Sequence, residues 1–371
     1  MKTNLRSILM TADATGGVWA YSLELARSLG PSGVSVTLAL MGPPASASQR
    51  RDAAGIPNLD LVETAFRLEW MEEPWEDVSR AGDWLLGLEE DLSPDVVHLN
   101  GYAQASAGFK APVLIAAHSC VLSWWEAVKG GELPAQWERY REEVSKGIQC
   151  ADMIVAPTNA MLRSIYRNYY VRSSCRVICN GRSPSLFSPG PKEPFVFTAG
   201  RLWDEAKNIR ALSKASAVIP WPVYAAGEGG SGREGEGIES LGRLSEGEVA
   251  DHMSRASIFA LPALYEPFGL SILEAALSGC ALVLGDIPSL REIWGDAAVF
   301  VEAQNACALG DTIGALIRDR DALAEFSARA FLRARNFTPE AAAAGYVSAY
   351  ERLLMDRAPV NGKGAYTRCV S

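Results

Sequence analysis

The chain has 371 residues, 48% of them hydrophobic, which is enough for more than one core and about the length of two domains. Its 44 Asp and Glu against 35 Lys and Arg give a formal net charge of −9, so no basic field is offered to nucleic acid. Seven scattered cysteines without a Cys-x-x-Cys pair, and three distant histidines (His98, His118 and His252), argue against a disulfide framework and a zinc site.

From the N-terminus, residues 7–10 read as a strand, 12–17 as a glycine loop, 18–29 as a helix stopped by Gly30, and 34–40 as a second strand. That is the order of a βαβ unit. The apolar stretch after Lys2 and Arg6 stops at Asp13, too short for a signal-peptide core, and the later apolar stretch 275–284 is far below the ~20 residues that span a bilayer. A soluble, cytoplasmic protein is expected, with peripheral contact to a membrane surface left open.

Short apolar runs come next at 59–62, 96–99, 113–117, 153–156 and 176–179, with helical patterns clearest at 136–148 and 159–169. Continuous apolar strands interleaved with helices predict an α/β fold whose parallel sheet is covered on both faces. The stretch 183–194 holds four prolines and a glycine, the composition of a linker. A second βα series runs through 195–200, 223–226, 258–261, 281–284 and 298–301, and the chain is then helical from 305 to about 355, with Thr338 capping Pro339. The expected division is 1–188, 189–338, a terminal helix at 339–357 and a mobile tail at 358–371.

In doubly wound sheets, ligands bind at the carboxyl ends of strands, so the residues just after each strand carry the chemistry. Gly16 and Gly17 would let amides approach an anion at a helix start, or would simply make a tight turn. Arg201 and Lys207 come after the first strand of the second series and could together neutralise a diphosphate, although charges after strands are commonplace. Glu266 lies after another strand, in Glu-Pro-Phe-Gly-Leu, and Glu274 comes eight residues later in the next helix. The amides of Phe268, Gly269 and Leu270 could receive phosphate. Glu274 could accept ribose hydroxyls, or could close a Ser271-x-x-Glu274 capping box.

Gly227 opens a G-x-G-x-x-G stretch, but the Arg-Glu-Gly-Glu-Gly run at 233–237 cannot start a helix, so a loop beside the nucleotide is expected in place of a dinucleotide fingerprint. His118, at the end of a strand, could touch the donor sugar or be a structural imidazole. Asp319-Arg-Asp321 lies in a late helical region, where a solvated face is the natural reading. Seven of the ten tryptophans precede residue 190 (Trp19, Trp70, Trp75, Trp84, Trp124, Trp125 and Trp137) and serve either core packing or an acceptor.

On these residues the chain resembles the retaining glycosyltransferases of family 4 (glycosyl transferases group 1), which have the GT-B fold. The resemblance runs from Gly16 and Gly17 through Gly200, Arg201, Lys207, Asn208 and the Glu266-x7-Glu274 signature to residues 287–293. It implies two facing Rossmann-like domains, an acceptor side within 1–188, a donor side within 189–338, and a helix at 339–357 crossing back to the first domain. By the same resemblance, Arg201 and Lys207 would bind the diphosphate of a nucleotide-sugar donor, Glu274 the ribose, and Glu266 the transferred sugar with the amides of Phe268, Gly269 and Leu270. Gly16, Gly17 and His118 would face them, and Gly227 would lie beside the nucleotide.

No metal or other cofactor is implied, and the acceptor would be a sugar, a glycan or a small molecule. A GT-B sugar phosphorylase and a non-catalytic sugar-nucleotide-binding protein remain the alternatives. The sequence departs from the family at Cys179-Asn-Gly-Arg182, where similar enzymes carry Pro-Asn-Gly-Val, and in the acidic glycine-rich loop 227–237, which leaves the nucleotide open.

Overall fold

The structure is a computed structural model that describes residues 5–229 and 237–357. The core of the glycine-rich loop, 230–236, and the expected tail, 358–371, lie outside the described residues. The first half contributes β1 (Ser7–Asp13), α1 (Gly17–Leu29), β2 (Ser35–Met41), α2 (Ala47–Ala54), β3 (Leu59–Glu63), α3 (Trp75–Leu92), β4 (Val96–Leu99) and β5 (Val113–Ala116). It continues with α4 (Val121–Val128), α5 (Glu138–Cys150), β6 (Met153–Ala156), α6 (Asn159–Asn168) and β7 (Ser174–Val177). The second half contributes β8 (Glu193–Ala199), α7 (Ile209–Ser216), β9 (Val223–Ala226), β10 (Glu239–Gly242), α8 (Glu246–Arg255), β11 (Ala256–Leu261) and α9 (Leu270–Leu277). After it come β12 (Ala281–Gly285), α10 (Pro288–Trp294), β13 (Val299–Val301), α11 (Ala306–Arg318), α12 (Arg320–Ala334) and α13 (Pro339–Arg357).

The strands form two parallel sheets, a seven-stranded one in the order β3-β2-β1-β4-β5-β6-β7 and a six-stranded one in the order β10-β9-β8-β11-β12-β13. Every residue of β4, β5, β6, β11 and β12 is buried, because helices cover both faces. The strand order reverses between β1 and β4 in one sheet and between β8 and β11 in the other. A doubly wound sheet opens its ligand crevice at such a reversal.

The chain passes between the sheets twice, before β8 and before α13. At that crossing a Cβ on Gly181 would lie 2.2 Å from the Thr338 carbonyl oxygen, so only glycine lets the two connections pass. Tyr346, Tyr350 and Leu353 of α13 are buried in the same cluster as Leu23 and Leu25 of α1, and the Tyr350 hydroxyl is 2.5 Å from His98 Nδ1 on β4. The last helix of the chain therefore packs on the first sheet.

Three sequence expectations are adjusted. The strand expected at 176–179 is β7, two residues earlier, because its partners on β6 run from Met153 to Ala156 and the chain leaves the sheet after Val177. The helical stretch from 305 is broken into three. Asp319 is exposed and caps α12 through the Ala322 amide, 3.0 Å away, which accounts for the Asp-x-Asp. Finally, α9 is capped by Gly269 and Ser271 lies inside it, so Glu274 closes no capping box.

Candidate active site

The two reversal points face each other across an open cleft of about 1660 Å³. On the second-domain side, β8 ends at Gly200 and Arg201, and β11 ends in the loop that carries Glu266. The two loops are tied together. The Leu264 amide donates to the Ala206 carbonyl (2.8 Å), and Asn208, in a left-handed conformation (φ 53°), donates to the Pro262 carbonyl (3.0 Å). This brace brings Lys207 against Glu266, where the ammonium and carboxylate form a close, mostly buried ion pair. Arg201 is more exposed and donates to Asp204 (3.0 Å), with its guanidinium 5.5 Å from the Trp203 ring centroid.

Two helices point their N-termini into this space. A Cβ on Gly17 at the start of α1 would touch Leu270 at the start of α9 (3.5 Å), and one on Gly16 would sit 3.6 Å from Arg201 Cδ. Gly16 (φ 88°) and Gly269 (φ 89°) adopt positive-φ conformations that favour glycine, and each starts its helix without a side-chain cap. Unpaired amides and helix dipoles from both domains thus converge beside Arg201 and Lys207, each helix end stabilising an anion by about 0.3–1 kcal/mol.

Gly227 also lines the cleft, but its amide donates to the Gly242 carbonyl (2.8 Å), and a Cβ there would lie 1.8 Å from the Gly200 carbonyl oxygen. Its glycine is explained by the close approach of β8 and β9. Phe268 is buried in the second core, so only its backbone faces the cleft chemistry.

Glu274 projects from α9 and accepts from Arg182 Nε at 2.8 Å. Burial pushes its carboxyl up, while the Arg182 charge and hydrogen bond pull it down.

On the first-domain side, His118 comes after β5, and its Nε2 lies 2.8 Å from Asn100 Oδ1. The Asn100 amide group donates to the Thr11 carbonyl (2.6 Å), which fixes its oxygen toward the imidazole. His118 therefore carries its proton on Nε2 and presents Nδ1 as an acceptor. Burial pushes its pKa down to about 4, so it is neutral near pH 7.

Asp13 and Glu69 also line the cleft. Burial raises Asp13 to about 6, against the Thr15 amide and the Arg201 charge, and raises Glu69 to about 7, against the amides of Ala103 and Tyr102. Trp19, Trp70, Trp124 and Trp137 line the cleft, and of these Trp19 and Trp137 also pack in the cores, as Trp75 and Trp84 do.

Every residue singled out from the sequence for the donor lines this cleft. Sequence reasoning missed Asp13, Asp204 and Asn100, whose roles depend on tertiary neighbours. Asp204 bridges the domains, accepting from Arg201 and from Trp124 Nε1 (3.0 Å). Arg182 had a visible signal, as the odd residue of Cys179-Asn-Gly-Arg182. Among the described residues no group of three or more His, Cys, Asp or Glu could hold a metal ion, and no helix is long and apolar enough to cross a membrane.

Family models match in two adjoining stretches, Glycosyltransferase Family 4 over residues 15–186 and Glycosyl transferases group 1 over residues 193–319. The chain is 24% identical over 392 residues to the D-inositol 3-phosphate glycosyltransferase of Nocardia farcinica, covering 93% of this chain and 86% of that protein. Sucrose-phosphate synthase from Thermosynechococcus elongatus superposes with a TM-score of 0.78 at 18% identity, over 95% of this chain and 100% of that one. HepE from Anabaena, solved with UDP-glucose, superposes with a TM-score of 0.70 at 15% identity, over 94% and 98%. With both halves matched in order and the cleft placed between them, the chain belongs to the family 4 glycosyltransferases and has the GT-B fold.

Proposed function

We propose that the enzyme transfers its sugar with retention of configuration, by departure of the nucleoside diphosphate and attack of the acceptor on the same face. The observation that carries this reading is that Arg201, Lys207 and the start of α9 line the same cleft together with Glu266 and Glu274, Lys207 paired with Glu266. Two fixed cations and a helix end suit a departing diphosphate, and a preorganised charge at a leaving group contributes several kcal/mol to the transition state. In the free enzyme Glu266 and Asp204 neutralise Lys207 and Arg201. A bound diphosphate takes over that role, which frees Glu266 for hydroxyls of the transferred sugar.

Glu274 binds the ribose, which takes it away from the anomeric carbon and disfavours a covalent glycosyl-enzyme. The leaving diphosphate then accepts the acceptor's proton. His118 offers a neutral acceptor nitrogen to a sugar hydroxyl. The first domain supplies the acceptor side, and the donor nucleotide occupies the second.

The test is a screen of nucleotide sugars for nucleoside diphosphate release, run in excess chelator. One donor is expected to be hydrolysed slowly without acceptor and faster with one. Phosphate-dependent release of a sugar phosphate, or donor binding with no turnover, would move the assignment to a phosphorylase or to a binding protein. Loss of activity to the chelator, restored by a divalent ion, would overturn the metal-free reading.

A further inference from the structure

Arg182 lies in the connection between β7 and β8, where the chain first leaves one domain for the other. It is 7% exposed and faces three carboxylates. Its Nε donates to Glu274 Oε1 on α9 (2.8 Å), its Nη1 lies 3.7 Å from Glu24 Oε2 on α1, and its Nη2 makes a close ion pair with Glu246 at the start of α8. The guanidinium also lies 5.1 Å from the Phe187 ring centroid, and the Arg182 amide donates to the Phe337 carbonyl (3.1 Å) in the second interdomain connection. Glu24 is fixed in turn by the Ser183 amide (2.7 Å) and by Arg27 (2.7 Å).

We propose that Arg182 is a positioning residue for the donor ribose: it orients the Glu274 carboxylate in the second domain and is itself anchored to the first domain through Glu24. The inference rests on the reading of Glu274 as the ribose acceptor. A planar guanidinium with five donors can serve three carboxylates in fixed directions, which a valine, as found in similar enzymes, or a lysine cannot do. One Glu274 oxygen is held by Arg182, and the group lines the cleft.

The charges facing Glu274 are Arg182 and, as like charges near that guanidinium, Glu24 and Glu246. Without the cation, a buried carboxylate beside another carboxylate takes up a proton and ceases to be a pure acceptor. Arg182 also links α1, whose start faces the diphosphate, to α9, which carries Glu274, so ribose and diphosphate contacts share one support.

The experiment compares, by calorimetry, the tightest binder among UDP, ADP and GDP with its 2′-deoxy form. Wild type is expected to prefer the ribose form by about 10-fold. In Arg182→Met the preference should fall to about twofold or less. In Glu24→Gln, in the other domain, it should fall by about threefold, because the anchor of Arg182 is weakened. If Arg182→Met does not fold, Arg182→Lys decides, since it keeps the buried charge but loses the fork, and its preference should also fall. A wild-type preference in a folded Arg182 variant overturns the inference, and a wild-type preference in Glu24→Gln overturns the anchoring. Glu274→Gln separates the two layers: if it too keeps the preference, the assignment of ribose to Glu274 is what has failed.

Discussion

The two walls of the cleft are built differently. The second-domain wall takes Arg201 and Lys207 from the loop after β8, Glu266 from the loop after β11 and Glu274 from α9, and each of these charges already has a partner. The first-domain wall takes its groups from the ends of β1, β4 and β5, from α1, α2 and α4, from the loop after β3 that carries Glu69 and Trp70, and from Trp137 before α5. It presents glycine amides, a neutral imidazole, two buried carboxylates with raised pKa, and tryptophans. A nucleoside diphosphate asks for fixed charge, which short motifs supply. On the proposed reading an acceptor asks for shape, which several separated segments make together.

The sharpest way to break this comparison is to remove a cation from the second wall. Lys207→Ala or Arg201→Ala is expected to slow transfer by on the order of 10²-fold or more. Arg201 is partly exposed, so its loss should move the unfolding midpoint little, whereas Lys207→Ala leaves the mostly buried Glu266 without its cation and should lower the midpoint, so its turnover is measured on the folded fraction. Wild-type turnover in either variant would remove the diphosphate from this wall.

A smaller effect is expected at Glu274. Because Ser271 is inside α9, Glu274→Gln has no capping role to lose. It replaces a charged acceptor by a neutral one, and nucleoside diphosphate binding should weaken by about 1–2 kcal/mol. Unchanged affinity in a titration would refute its contact with ribose.

The first domain is probed by pH, through His118 at the cleft and His98 in the core beneath α13. Burial holds His98 at about 3 and His118 at about 4, below the ordinary 6.5. Both depressed values mean that the unfolded chain takes up protons the folded one refuses. Their contribution to stability is therefore present above pH 6.5 and is lost as pH falls from there toward 4 and 3. Proton NMR should show both imidazoles unchanged from pH 8 to 5, and titration of His118 near 6.5 would contradict its burial against Asn100.

The same division explains what the sequence made legible. Both sheets could be read because strands buried on two faces are continuous apolar runs, as at 113–116 and 281–285. The second-domain wall could be read because Arg201 and Lys207, and Glu266 and Glu274, are local in sequence. β10, whose Glu239 and Ser240 are exposed, left no apolar signal. Gly227 matched a nucleotide fingerprint for a reason of its own, the close passage of the Gly200 carbonyl. Arg182 was visible as a departure but not as a contact, because Glu24, Glu246 and Glu274 are 158, 64 and 92 residues away along the chain. The acceptor could not be read, since no motif spans the segments that would bind it.

The central claim is transfer from a nucleotide sugar on one face of the ring, and the most direct measurement is proton NMR of the anomeric signals during turnover. An α-linked nucleotide sugar should disappear as an α-linked product forms first, with one nucleoside diphosphate released per transfer. A β-linked first product, or loss of the donor without release of nucleoside diphosphate, would contradict the account.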